Sequence, residues 1–462
     1  MRRRAFLQTM AGAAAAFGQT RRPNILFILA DDLGWGDLGC YGHPNIRTPN
    51  LDRLARQGTL FTQFYVNGPV CSPSRTAFLT SHYPARHRVH GHFAAAKINA
   101  DRGMPNWLDP AVLTLPRLLR EAGYATAHFG KWHLGSGPGA PEPGAYGFDT
   151  YKSVNANGPA WKEEQSDPYF RARSTGRIAD EAIRFIEQNR EKPFYLQTWA
   201  LLPHATLNPP EEDLKPYARF NPGGGIPHKG ATAIFYASVS ALDRDLGRLL
   251  KRLDELGLAE NTLVVFSSDN GPEDIHIVNA SHSGVGTPGP FRGRKRSLYE
   301  GGVRLPLIAR WPGRVPANRV DSTSLLTAVD FLPTVCSLAG VSVPANAQPD
   351  GEQVSAALMG KPWKRTKTIH WEWRFRIQGD TLNRSPMLAI REGDWKLLLN
   401  PDHSRVELYD IPRDPSELNN LAGRQPQIVA RLAEQALAWQ KTLPEGPIEP
   451  SAGKNDYPWP GR

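Results

Sequence analysis

Apolar residues along the chain fall into short unbroken runs that alternate with stripes of helical spacing. Ile25-Leu26-Phe27-Ile28-Leu29 is a run of strand length, followed by Asp31-Asp32 and a glycine-bearing loop. Thr48-Pro49 then opens a helix as cap and first-turn proline, Leu51, Leu54 and Ala55 share one face, and Gly58 closes it. The unit recurs. Thr114 caps a helix with Leu115, Leu118, Leu119 and Ala122 on one side, Gly123 ends it, and residues 124–129 continue as a strand. A helix over 178–188 leads to a strand over 194–199, and a longer amphipathic helix through Val239, Leu242, Leu246, Leu249 and Leu253 leads to a strand over 262–266. This alternation predicts an α/β fold: a large mixed, mostly parallel sheet flanked by helices.

After residue 360 the rhythm changes to short strands over 368–373, 387–391, 395–399 and 406–409, then one helix over 428–443. The expected organisation is a catalytic α/β domain over 21–360, a smaller C-terminal α+β domain over 361–443, and an irregular proline-bearing tail over 444–462. Ahead of these, Arg3-Arg4-Ala5-Phe6-Leu7, a small-residue apolar stretch and polar Gln19-Thr20 have the layout of a signal peptide over 1–20. The paired arginines resemble a bacterial twin-arginine signal and imply an exported, periplasmic or secreted protein. A frayed basic N-terminus is the alternative.

Ligands of parallel α/β sheets bind beyond the carboxyl ends of the strands. The residues at those places are Asp31-Asp32, Lys131-Trp132-His133, Pro203-His204 and Asp269-Asn270-Gly271. Three carboxylates and an amide are hard oxygen ligands that repel one another without a cation, which points to Ca²⁺ or Mg²⁺ rather than zinc. Singly, Asp-Asp also serves as a helix cap and Asp-Asn-Gly as a turn; their shared rim is what favours the metal reading. In Cys71-Ser72-Pro73-Ser74-Arg75, ahead of helical Thr76 to Thr80, a cysteine at a helix N-terminus beside an arginine has its thiolate favoured, as a nucleophile or a modified residue would. A small buried hydrophobe is the alternative, and it is the reading for Cys40 and Cys336.

The 462 residues carry a formal charge of +10, with 42 Gly and 41 Pro, a loop-rich globular composition that excludes collagen, coiled coil and tail-like disorder. Three cysteines exclude a disulfide scaffold. No apolar run reaches the roughly 18 to 20 residues needed to cross a bilayer, so no stable membrane insertion is expected. No block of like charge suits nucleic acid, and an anionic substrate fits the mild positive balance better.

Cys-x-Pro-Ser-Arg resembles the type I sulfatase signature, in which the cysteine is oxidised to formylglycine. The resemblance extends through Ala30-Asp31-Asp32-Leu33-Gly34-Trp35-Gly36-Asp37, Gly130-Lys131-Trp132-His133, Ser268-Asp269-Asn270-Gly271, Arg292-Gly293-Arg294-Lys295 and Glu300-Gly301-Gly302, in the family order. The arylsulfatase A and N-acetylgalactosamine-6-sulfatase types are the most similar. The resemblance implies an alkaline phosphatase-like fold and hydrolysis of a sulfate monoester, on a carbohydrate for the types named. It also implies one Ca²⁺ held by Asp31, Asp32, Asp269, Asn270 and the formylglycine at Cys71, with Mg²⁺ as the other candidate. Arg75 matches the residue that holds the aldehyde hydrate, and Lys131, His133, His204 and Lys295 match the sulfate-binding cations and proton carriers, with His204 as acid and His133 as base. The partners implied are a sulfated small molecule or oligosaccharide and the formylglycine-generating machinery. Pro203-His204-Ala205-Thr206 departs from the frequent Pro-His-x-Pro.

A phosphodiester or phosphonate hydrolase of the same superfamily is the rival activity. A non-catalytic polysaccharide-binding protein on the same fold would be marked by loss of Cys71, Arg75 or a metal carboxylate, and all are present. Selection of the alcohol is expected from loops over 83–112 and 135–175 and from Trp371, Trp373 and Arg374; His87, His90 and His92 read as surface loop residues, with a place lining the substrate mouth as the alternative.

Overall fold

Every residue of β1 (Asn24–Ala30) is buried, because the strand lies inside a sheet covered on both faces. Ile25, Phe27 and Leu29 enter one apolar layer and Leu26, Ile28 and Ala30 the other. The computed structural model describes residues 22–135, 137–154, 161, 165–220, 230–274 and 278–456, so the candidate signal over 1–20 lies outside the described residues, as does the end of the tail. Among the described residues the sheet continues with β2 (Thr59–Tyr65), β3 (Ala125–Lys131), β4 (Thr150–Val154), β5 (Phe194–Trp199), β6 (Thr262–Ser268), β7 (Arg304–Arg310), β8 (Arg319–Asp321) and β9 (Leu326–Thr327). The order is β4-β3-β5-β1-β6-β7-β2-β8, with β9 beside β2. All these pairings are parallel except the two made by β7, so the sheet is mixed and mostly parallel.

Helices α1 (Pro49–Arg56), α2 (Cys71–Thr80), α3 (Leu115–Glu121), α4 (Phe170–Asn189), α5 (Ala231–Glu255) and α6 (Phe331–Ala339) cover the two faces. Ala77, Leu118 and Val335 place α2, α3 and α6 on the face of Phe27, whereas Leu54, Ile178 and Leu242 place α1, α4 and α5 on the face of Leu26. Two expected caps do not form. Thr48 Oγ1 instead donates to Asp52 Oδ1 at 3.0 Å and accepts from the Gly39 N–H, and Thr114 donates to the carbonyl of Tyr146. Cys336 is buried as expected, and Cys40 is partly buried against the core.

The second sheet is antiparallel in the order β10 (Ile369–Glu372), β11 (Leu388–Glu392), β12 (Trp395–Leu399) and β13 (Glu407–Asp410), with α7 (Pro426–Gln440) laying Leu432, Ala433 and Ala436 against Leu388, Ile390 and Leu397. Its other face, through Trp371, Ala389 and Leu398, joins the core of the larger sheet. Trp371 and Trp373 are therefore core residues and do not select substrate: Trp371 is wholly buried and donates Nε1–H to the carbonyl of Val66. Arg374 is buried on Glu372 at 2.7 Å. A buried ion network fixes the same junction. Lys396 on β12 reaches Glu300 Oε1 at 2.9 Å and Glu417 Oε1 at 3.0 Å, and Arg304 reaches Glu300 Oε2 at 3.2 Å. No helix of the described residues is long and apolar enough to cross a membrane.

Candidate active site

The ends of β1, β3 and β6 meet at one rim. Asp31 and Asp32 follow β1, Lys131 is the last residue of β3, and Asp269 and Asn270 follow β6. Asp32 takes a left-handed conformation, φ 64°, which Asp tolerates better than most residues, and its N–H donates to Asp269 Oδ1 at 3.2 Å. The fourth element is α2. It begins at Cys71 itself rather than at Thr76, so Cys71 and Arg75, one turn apart, share a face turned to the rim.

Arg75, fully buried, donates Nε and Nη2 to Asp269 Oδ2 at 3.0 and 2.7 Å and Nη1 to the Lys131 carbonyl at 2.7 Å. Lys131 Nζ donates to Asp31 Oδ2 at 2.5 Å and lies 3.4 Å from Cys71 Sγ. Lys295 Nζ reaches both oxygens of Asp32 at 2.7 Å. Burial works against the Asp31 carboxylate, but Lys131, His204, Arg75 and Lys295 outweigh it and hold Asp31 well below its usual range. At Asp269 burial and the charge on Asp31 win over Arg75 and push the carboxyl up.

Asp31, Asp32, Cys71 and Asp269 offer ligand atoms within 4.8 Å of one another. Asn270 Nδ2 faces two acceptors, Asp32 Oδ1 at 2.7 Å and the Gly271 carbonyl at 2.9 Å, so its Oδ1 turns the other way. That Oδ1 and Asp31 Oδ1 are buried with no hydrogen-bond partner. Buried oxygens are rarely left so. A hard divalent cation would supply the missing partner, and the oxygens of the three carboxylates and the amide fit Ca²⁺ or Mg²⁺.

The expected thiolate at residue 71 does not form. Cys71 is 2% exposed, and burial, with Asp269 and Asp31 against Lys131 and Lys295, pushes its thiol up to about 12. The helix N-terminus and Arg75 do not suffice, because Arg75 is neutralised by Asp269.

The two histidines differ in what they can do. His133 Nε2 faces the carbonyl of Phe93 at 3.1 Å and must carry its hydrogen there, which leaves Nδ1 as a buried lone pair without a partner. Burial, then Lys131, hold its pKa well below the usual value. His204 Nδ1 donates to the Ala205 carbonyl at 2.7 Å, and Nε2 stands 3.7 Å from Asp32 Oδ2. Burial pulls His204 down to about 4, with Asp32 and Asp31 opposing. The ten residues singled out in the sequence therefore gather about one cluster: Arg75 holds the candidate ligand Asp269, whereas His133 bonds the Phe93 carbonyl rather than a ligand oxygen.

Sequence reasoning missed Glu273, which anchors Lys295 at 3.5 Å and Arg296 Nη2 at 3.0 Å; its place three residues after Asn270 on the same loop was the available signal. The surface-loop reading does not hold for two histidines. His92 is partly buried with its ring 6.1 Å from that of His133, and His90 is buried with Nδ1 3.6 Å from Glu372.

An acidic cluster built for a cation and a buried nucleophile position, at the carboxyl rim of a sheet of this topology, define a hydrolase of anionic esters in the alkaline phosphatase superfamily. The family described as Sulfatase matches residues 23–341, and that described as N-sulphoglucosamine sulphohydrolase, C-terminal, matches residues 291–442. The chain is 36% identical to the N-acetylgalactosamine-6-sulfatase of Canis lupus familiaris over 424 residues, covering 85% of this chain and 74% of that one. It is 31% identical to human arylsulfatase A over 486 residues, covering 92% and 89%. The solved structure of Ps i-CgsB in complex with k-i-k-neocarrahexaose is similar at a TM-score of 0.77 and 27% identity, covering 94% of this chain and 97% of that one. The chain belongs to the sulfatase family, whose members are sulfuric ester hydrolases that use a metal ion and a formylglycine.

Proposed function

We propose that this sulfatase removes sulfate from a carbohydrate, that residue 71 is formylglycine, made from Cys71 by formylglycine-generating machinery, and that the protein is exported. One Ca²⁺ or Mg²⁺ would be held by Asp31, Asp32, Asp269, Asn270 and residue 71. The observation that carries this reading is the pair of orphaned buried oxygens, Asp31 Oδ1 and Asn270 Oδ1, beside a thiol too deeply buried to ionise. The carbohydrate is supported by the N-acetylgalactosamine-6-sulfatase relative and by the neocarrahexaose with which the similar structure is in complex.

The cation, when bound, supplies positive charge against the oxygens of the sulfuryl group. The hydrated aldehyde supplies the hydroxyl nucleophile that the neutral thiol cannot. The remaining work falls to side chains. Lys131 and Lys295, whose Nζ atoms already lie in the cluster, hold sulfuryl oxygens as charge develops on them. Arg75 keeps Asp269 turned to the cluster. The free lone pair on His133 Nδ1 receives a proton. His204, 13% exposed at the open side, presents Nε2 to the departing sugar oxygen and gives it a proton, which the negative charge of the bound sulfate, added to that of Asp32 and Asp31, holds on the ring against burial. A panel of sulfated mono- and oligosaccharides set against matched phosphate esters tests the reading: sulfate release from the sugars is expected, and faster release of phosphate from the phosphate esters would replace it with the phosphodiesterase or phosphonate hydrolase alternative.

A further inference from the structure

We propose that Arg171 binds a second anionic group of the substrate, a sulfate or carboxylate carried by the sugar that leaves or by its neighbour. This deepens the carbohydrate-sulfatase reading and rests on it.

Helix α4 carries three arginines in its first two turns, Arg171, Arg173 and Arg177. Asp167, just ahead of the helix, pairs with Arg173 at 3.5 Å and Arg177 at 2.9 Å. Two residues of helix advance by about 200°, so Arg171 leaves the helix on nearly the opposite side from Arg173. Arg173 is half exposed, whereas Arg171 Nη1 is buried and has no hydrogen-bond partner. Arg171 is itself only half-buried, but a buried guanidinium nitrogen without a partner is costly to keep, and satisfied ones are the rule.

Arg171 lies within the field of the active-site carboxylates. Asp31 and Asp32 are the carboxylates that favour its charge against burial, yet neither forms an ion pair with it. The carbonyl of Pro168, immediately before α4, accepts from Asn208 Nδ2 at 3.1 Å, which ties the start of the helix to the loop that carries His204. The first turn of α4, which carries Arg171, therefore adjoins the loop on whose side the alcohol departs. The other cations around the cluster are committed. Arg296 is paired with Glu273, Arg102 donates to the His92 carbonyl at 3.2 Å and lies over Phe375 at 5.2 Å, and Lys131 and Lys295, on Asp31 and Asp32, serve the scissile sulfuryl group. Arg171 alone of this set presents an uncommitted guanidinium nitrogen, and a guanidinium offers paired N–H groups to the oxygens of sulfate or carboxylate.

The test compares kcat/KM of the wild-type protein, Arg171→Ala and Arg171→Lys on two sulfated disaccharides identical except that a uronate in one is a neutral sugar in the other, with a small aryl sulfate as third substrate. The wild type should prefer the doubly anionic disaccharide. Arg171→Ala should lose about 10- to 100-fold on it, mainly through KM, with little change on the other two substrates, and Arg171→Lys should recover part of the loss. Its melting temperature should not fall, since the arginine has no partner to lose. Equal losses on all three substrates would assign Arg171 to the scissile sulfate or to the fold and overturn the inference. So would a wild type that hydrolyses both disaccharides equally well, which leaves the carbohydrate reading standing. A wild type inert on both disaccharides but active on phosphate esters would overturn that reading and this inference with it.

Discussion

Arg75 places two nitrogens on a single oxygen of Asp269, Oδ2, and so leaves Oδ1 free to accept the Asp32 N–H. One arginine thereby orients a candidate metal ligand and the turn that carries a second. Arg75→Met should leave a buried carboxylate unpaired and cost about 3–5 kcal/mol of stability, read from urea unfolding. Arg75→Lys should recover little, because a single ammonium cannot make the fork-shaped contact. A Met variant as stable as the wild type would show that Asp269 is held by other means.

The peptide containing residue 71 should appear by mass spectrometry as a lighter, hydrazide-reactive species, and Cys71→Ala should abolish turnover without changing the fold. Unmodified cysteine throughout a fully active preparation would remove the proposed nucleophile.

A chelator should abolish turnover and lower the melting temperature, and Ca²⁺ or Mg²⁺ should restore both, since a cation bound only by the folded state stabilises it. Elemental analysis should find about one such ion per chain. Stoichiometric zinc would contradict the oxygen donor set.

His204→Ala should lower turnover of a sulfated sugar by roughly 10² to 10⁴ and spare a nitrophenyl sulfate, whose leaving group needs no proton. Equal losses on both substrates would assign His204 to sulfate binding.

At the junction of the two sheets, burial raises Glu300, but Lys396, Arg391 and Arg304 outweigh it and hold the carboxyl at about 2. A carboxyl depressed in this way stabilises the folded state above its unfolded pKa, so stability should fall as the pH drops from about 4.5 to about 2. Lys396→Met should strand Glu300 and Glu417 together and cost about 3–5 kcal/mol at neutral pH, read from chemical unfolding. A melting temperature unchanged by that substitution would show that the arginines suffice.

Much of this site is legible in the sequence because a parallel sheet sorts residues by their place along a strand. Asp31, Lys131 and Asp269 lie far apart in the chain, yet each follows or ends an apolar run, and that alone brings them to one rim. The reversed strand β7 is not legible in the same way: its seven residues, Arg304–Arg310, are all buried, and an unbroken apolar run carries no direction. The state of Cys71 depends on how much of the protein covers it, which no local pattern records. Trp371 is miscast for the same reason. Its indole fills the seam between two sheets, and only the packing of one on the other distinguishes that place from an open sugar-binding face.

The depth at which Cys71 is buried also fixes an order of events. A side chain with 2% of its surface exposed, beneath Lys131 and at the first turn of a packed helix, offers another enzyme no purchase once the sheet has closed. The conversion proposed for it would therefore belong to the chain as it emerges, before α2 docks. If the paired arginines at the N-terminus do send a finished fold across a membrane, the compartment of synthesis is where the nucleophile is made and the far side is where it is used.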